Sequence, residues 1–177
     1  MFAWTLDIFL LKLEKAVNVL KQAIEINPKL IEAHLALGAV LIKLRKYEEA
    51  EKNLRIVITL DKNHAEAYLH IGLILYFRNK FKEAEEKFRV VVNLKPNWVN
   101  GIIELAKSIE RQNRKKDAET YYKAAIRLEP NSLPTLTAYG FFMINNADYI
   151  GAKKLFDKAE KLNNKDTTVK IGLGQIF

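Results

Sequence analysis

With 49% hydrophobic and 28% charged residues over 177 positions, the chain is too apolar for disorder and too charged for a membrane protein. No run approaches the roughly 18 consecutive apolar residues that a spanning helix needs. The absence of cysteine excludes a disulfide framework and thiolate chemistry, and the net charge of +8 invites acidic partners without naming one.

The segment 1–11 comes first and is apolar nearly all round, from Phe2 to Leu11. It lacks the basic start and small-residue cleavage site of a secretory signal. Three readings are open for it: a helix that caps the fold, a sticky segment that docks on another subunit, or the remnant of a membrane-proximal or processed segment. Leu13, Ala16, Val17, Leu20, Ala23 and Ile24 then recur at spacings of three and four, which predicts a helix ended by Asn27-Pro28. From here a period of 34 residues governs the chain. Steps of that length from Ala84 land on Ala16, Ala50, Ala118 and Ala152; steps from Gly72 land on Gly38, Ala106, Gly140 and Gly174. Phe88 aligns with Leu20, Leu54, Tyr122 and Phe156, and Pro96 with Pro28 and Pro130. A period of this length predicts a stacked array of one supersecondary unit.

Each unit reads as a helix A of about fourteen residues, a short turn, and a helix B. Asn79 and Asn113 stand at the turns, where they tolerate a left-handed backbone. Gly38, Gly72, Ala106 and Gly140 are small where helices cross, and the alanines at 50, 84, 118 and 152 are small for the same reason. Tyr47, Tyr68, Phe81, Phe88, Tyr122, Tyr139, Tyr149 and Phe156 are expected in the core. Thr167–Phe177 starts one more helix A, through Ile171, Leu173-Gly174 and Phe177. Its apolar end suggests either a fragment of a longer array or an end that packs on something.

Residues 65–98 carry Tyr68, Ile71-Gly72, Leu75, Phe81, Ala84, Phe88, Val91 and Pro96 in one register, and three further units follow the same order. Departures are few: Lys62 and Asn164 replace the proline, and Lys115 the aromatic at the start of helix B. The pattern resembles the tetratricopeptide repeat, a helix–turn–helix unit of this length. The resemblance implies an all-α, right-handed superhelical solenoid, one array over 1–177. It would comprise a partial repeat (1–30), full repeats (31–64, 65–98, 99–132 and 133–166) and a partial C-terminal helix (167–177).

No catalytic constellation is present. His34 falls at a core place and His64 in a loop between units. With His70 they lie on no metal-ligand spacing, and HExxH, GxSxG and phosphate-loop patterns are absent. Glu48, Glu49, Glu51, Glu83, Glu85 and Glu86 follow a surface rhythm, with Lys52, Lys87 and Arg89 as expected partners. The chain is therefore expected to be no enzyme and to need no metal or cofactor.

Proteins with this repeat bind peptides or helices on a concave face made by their A helices. Here that face is expected to present Leu35, Ala39, Leu69, His70, Leu73, Tyr76, Phe77, Ile103, Lys107, Arg111 and Phe141. An exposed apolar strip of roughly several hundred Å² marks an interaction site; the alternative is that some of these residues pack between neighbouring A helices. A lysine- and arginine-rich clamp for a chaperone C-terminus, found in one subtype, has no match at Leu35, Ala39, His70, Asn100 and Glu104. A second feature is a basic edge along the A–B turns: Lys43, Arg45, Lys46, Arg78, Lys80, Arg111, Arg114, Lys115 and Lys116. It reads as solvated turns or as a contact for an acidic protein, anionic lipid or nucleic acid. Nucleic acid is disfavoured, because no aromatics interleave the charges. The sequence thus predicts a cytoplasmic scaffold that binds an apolar peptide or amphipathic helix. The rival readings are self-assembly through apolar termini or groove, and docking on an anionic surface.

Overall fold

A computed structural model describes the backbone of residues 2–176 and the side chains of residues 10–176. Among these residues there are ten α-helices and no strand. The chain divides into two compact units, Met1–Leu94 and Lys95–Phe177.

The first unit holds α1 (Phe2–Ile26), α2 (Ile31–Lys43), α3 (Tyr47–Leu60), α4 (Ala65–Phe77) and α5 (Phe81–Leu94). Consecutive helices pack as antiparallel neighbours, and α2 also meets α4, its counterpart one period later. The second unit holds α6 (Val99–Glu110), α7 (Lys115–Leu128), α8 (Leu133–Asn145), α9 (Tyr149–Leu162) and α10 (Thr167–Gly174). It repeats the scheme, with α6 meeting α8 and α8 meeting α10. Residues 2–26 run as one helix, so residues 2–11, for which the sequence left three readings open, continue α1 without a break.

The A–B turns explain the period locally. Arg45, Asn79, Asn113 and Ala147, one per repeat, take φ of 58°, 59°, 62° and 61°. Each closes the preceding helix with the same pair of bonds. In the second repeat the Asn79 N–H donates to the Tyr76 carbonyl at 2.9 Å, and the Lys80 N–H to the Leu75 carbonyl at 2.9 Å. This is the Schellman closure, which needs one left-handed residue. Asparagine adopts that conformation readily; Arg45 and Ala147 show that the turn imposes it on less suited residues as well.

The core follows the small positions. Ala50, Ala84, Ala118 and Ala152 are fully buried, and so are Leu54, Phe88 and Phe156. A Cβ placed on Gly38 would lie 2.7 Å from Leu54, on Gly72 2.5 Å from Phe88, and on Gly140 2.6 Å from Phe156. The glycine of helix A is thus the hole that receives the large side chain of its own helix B. Two expectations fail. Tyr149 is exposed rather than core. Its counterpart Tyr47 stacks on Phe77 of the following helix A. Glu85 is buried rather than solvated, and accepts from Arg89 at 2.7 Å.

Candidate functional site

On the inner face of the first unit the expected residues separate into two groups. Leu69 is buried at 8% exposure, so it supports the packing of α4 and offers little surface. Leu35, Ala39, His70, Leu73 and Tyr76 are half-buried, and Phe77 stands out at 51% exposure. Leu69, Leu73, Tyr76 and Phe77 share one side of α4 through three- and four-residue spacing.

The exposed Phe77 ring does not hang free. It stacks on Tyr47, with centroids 6.1 Å apart and planes 22° apart, and meets Tyr76 edge-on at 6.2 Å. Tyr76 in turn meets Phe81 at 5.3 Å. Tyr47 and Phe81 open α3 and α5, so the left-handed turns deliver both rings to the end of α4. Sequence reasoning placed Tyr47 in the core only; its place immediately after an A–B turn is the signal that brings it to this cluster.

His70 lies on the same helix. Its Nδ1 is buried with no hydrogen-bond partner, and its Nε2 is 3.8 Å from the Glu66 carboxylate. Burial lowers its pKa from 6.5; Glu66 opposes the shift and His64 adds to it. His64 caps α4, its Nδ1 accepting from the Ala67 N–H at 3.3 Å. His34 is core as expected, with Nδ1 2.9 Å from Asn53 Oδ1 and Nε2 3.0 Å from the Pro28 carbonyl. Among the described residues no group of His, Asp and Glu is arranged to hold a metal.

In the second unit the expected strip breaks up. Ile103 is buried at 4% exposure. Phe141 is half-buried and packs edge-on against Phe156 at 5.1 Å, as part of the α8–α9 core. Both corrections have one cause: an apolar residue on helix A is covered whenever a neighbouring helix reaches it. Lys107 is held by Glu104 at 2.8 Å, and Arg111 is exposed. Glu110 accepts from the Tyr122 hydroxyl at 2.8 Å and from the Asn145 amide at 3.0 Å, and so ties α6 to α7 and α8.

The basic edge is partly neutralised. Arg78 pairs with Glu48 and with Glu51 at 3.2 Å, and its guanidinium lies 5.8 Å from the Tyr47 ring centre. It braces two consecutive repeats instead of facing a partner. Lys80 pairs with Glu83 at 3.3 Å and Arg114 with Asp117 at 2.8 Å. Lys43, Arg45, Lys46, Lys115 and Lys116 are exposed.

Lys115 and Lys116 also border a recess of about 240 Å³, which the sequence did not foretell. Phe142 and Met143 contribute its apolar lining, and Glu119, Asn146 and Asp148 its polar one. Glu119 accepts from Lys123 at 2.7 Å and from the Tyr139 hydroxyl at 3.2 Å. The Lys123 hydrogen bond, aided by Tyr139, holds the Glu119 carboxyl below its usual range. Burial, then the Glu119 charge, push the Tyr139 phenol well above its own.

No helix among the described residues is long and apolar enough to cross a membrane. Tetratricopeptide-repeat family models match residues 12–45, 35–97 and 103–132. No curated protein sequence matches the chain. Solved structures share its fold at low identity. TTC0263, a thermophilic TPR protein of Thermus thermophilus, superposes with a TM-score of 0.82 at 16% identity, over 97% of this chain and 94% of its own. MamA of Desulfovibrio magneticus gives 0.72 at 21% identity, over 88% of each chain. YrrB, described as a TPR protein with an unusual peptide-binding site, gives 0.67 at 16% identity, over 96% of this chain and 88% of its own. Repeats of this kind typically build non-enzymatic scaffolds for protein–protein interaction. The register of small and large residues, the four Schellman turns and the matched segments agree: the chain belongs to the tetratricopeptide-repeat family.

Proposed function

We propose that the protein is a non-enzymatic scaffold that takes an apolar peptide or amphipathic helix of a partner protein on the inner face of α2 and α4, with Phe77 as the anchor. The observation that carries this reading is the exposure of Phe77 within a fixed aromatic cluster. A large ring that is open to solvent yet held by its neighbours loses little freedom on binding, which is what makes aromatic anchors effective. Leu73 and Tyr76 extend the surface along the helix, and Leu35 and Ala39 continue it on α2. Exposed Lys43 and Glu66 frame it with charges of both signs, so a partner with a polar rim fits better than a wholly apolar one. The peptide-binding site ascribed to YrrB, which has the same fold, supports a peptide as the ligand class.

Apolar burial at about 25 cal/mol per Å² supplies a few kcal/mol from such side chains before ordering costs, which points to micromolar affinity for a short segment. The test is a displayed-peptide selection on the wild-type chain, followed by titration of the recovered peptides against Leu73→Glu and Phe77→Glu. Circular dichroism checks that both variants keep their helix content. We expect peptides with apolar residues at helical spacing, a loss of affinity of about tenfold or more in each variant, and little dependence on salt. Peptides that bind the variants as tightly as wild type would sink the reading.

A further inference from the structure

We infer that the recess beside Lys115 and Lys116 is a binding site for a small aromatic carboxylate: its ring lies against Phe142 and Met143, and its carboxylate meets the two ammonium groups. The argument begins with the same place in the first unit, two periods earlier. There Tyr47, Glu48 and Glu51 of α3 meet Arg78, the residue that closes α4. The Arg78 guanidinium lies 5.8 Å from the Tyr47 ring centre and pairs with Glu48 and, at 3.2 Å, with Glu51. That place is filled from within, by a ring and by a planar cation held on two carboxylates.

In the second unit the same four places hold Lys115, Lys116, Glu119 and Asn146. The ring and the guanidinium are both gone. Asn146 does not replace the brace, because its side-chain N–H donates to the Phe142 carbonyl of α8 at 2.7 Å. The recess of about 240 Å³ lies where the brace would be. An apolar cavity of about 150 Å³ accepts a benzene ring, so one ring and a carboxylate fit the larger space. Phe142 is 5% exposed and Met143 half-buried, so the apolar wall is set before a ligand arrives.

The charge of the lining is reversed as well. Lys116 stands at the place of Glu48, and Lys115 at that of Tyr47. Both lysines are exposed, and neither forms an ion pair among the described residues. The carboxylates of the lining are already engaged. Glu119 accepts from Lys123 at 2.7 Å and from the Tyr139 hydroxyl at 3.2 Å, and Asp148 Oδ1 accepts from the Gly151 N–H at 2.9 Å. The charged groups left without a partner are the two ammonium groups, and they call for an anion. A single carboxylate suits them better than a dianion, because Glu119 and Asp148 line the same recess. An aromatic body suits the wall better than an aliphatic one, since the Met143 sulfur favours contact with a ring. Such a ring would also restore the one that Tyr47, Phe81 and Tyr149 supply at the start of the other B helices. All of these lining residues belong to the second unit, so the site stands or falls apart from the proposed face on α2 and α4.

Amide proton–nitrogen correlation NMR on the full chain, titrated with phenylacetate, tests the inference. We expect saturable shifts confined to residues 115–119 and 142–148, with half-saturation in the millimolar range. Acetate, which has no ring, and phenethyl alcohol, which has no charge, should each bind about tenfold more weakly or worse. Lys115→Gln/Lys116→Gln, at two exposed places, should lower the affinity for phenylacetate by about tenfold with the helix signal intact. Lys116→Glu/Asn146→Arg rebuilds the brace of the first unit, fills the recess from within and should abolish the shifts. If that second variant loses helix signal by circular dichroism, the lysine pair decides alone. Absence of saturable shifts overturns the inference. So do shifts spread equally to the turn at Lys43–Lys46, acetate or phenethyl alcohol binding as tightly as phenylacetate, or affinity undiminished in a folded variant.

Discussion

Helix pairs α4–α5 and α6–α7 occupy the same place in the period and solve it differently. In the first pair, Phe88 of helix B enters the space over Gly72 so closely that no Cβ fits there. In the second, the equivalent side chain is Tyr122, and the equivalent of the glycine is Ala106, itself fully buried. Tyr122 leans towards α8, its ring 4.9 Å from Phe142 and 5.8 Å from Tyr139, while its hydroxyl is held by Glu110. The end of helix A differs in parallel: Tyr76 and Phe77 form an exposed aromatic corner, whereas Glu110 and Arg111 stand at the same two places. The buried positions of a repeat are coupled to one another, and the exposed ones are free to set what the repeat binds.

The largest effect should come from removing what fills the hole in the first pair. Phe88→Ala should cost about 3–5 kcal/mol in urea unfolding, because the ring is fully buried and the helices cannot close over its space. A loss under ~1 kcal/mol would mean that α4 and α5 are held by something other than this contact. Next in size, Gly72→Val should cost about 1–3 kcal/mol through overpacking against Phe88. The reverse change at the same place in the second pair, Ala106→Gly, should cost about 1 kcal/mol, mostly in helix propensity. Equal costs for the two would erase the distinction drawn between the pairs.

The smallest effect is one of pH, and it is confined to α4, since the matching place on α6 holds Glu104. His70 is neutral and largely buried, with its pKa below 6.5, so the unfolded chain takes up the proton first as the medium is acidified. Its contribution is therefore complete above about pH 6.5 and is lost as pH falls through 6.5 towards the lowered folded value. His70→Gln should flatten the pH dependence of stability in that window and leave it unchanged at about pH 8. An unchanged slope would show that Glu66, on the next turn, offsets the cost of burying His70.

Much of the fold was legible because each repeat must solve one packing problem. Ala84 needs to be small beside a crossing helix, Phe88 needs a glycine to receive it, and Asn79 suits the turn; the spacing of these residues announces the helix pair. The interaction face was less legible. Leu69 and Leu73 look alike in sequence, and so do Ile103 and Phe77, yet in each pair the first is buried and the second offers surface. The turn cations looked alike too, until Arg78 proved to brace Glu48 and Glu51.

From its sequence alone the chain is an all-α repeat protein: the period, the helix boundaries and the positions of the small residues are local consequences of which side chains recur at which spacing. Only the tertiary structure decided which apolar residues on the A helices stay uncovered, that Tyr47 joins Phe77, and that residues 2–11 run on with α1. Exposure is set by what a neighbouring helix reaches, whether that helix is the partner in the same repeat, as for Phe141, or belongs to another repeat, as for Phe77. No local pattern of residues carries that information.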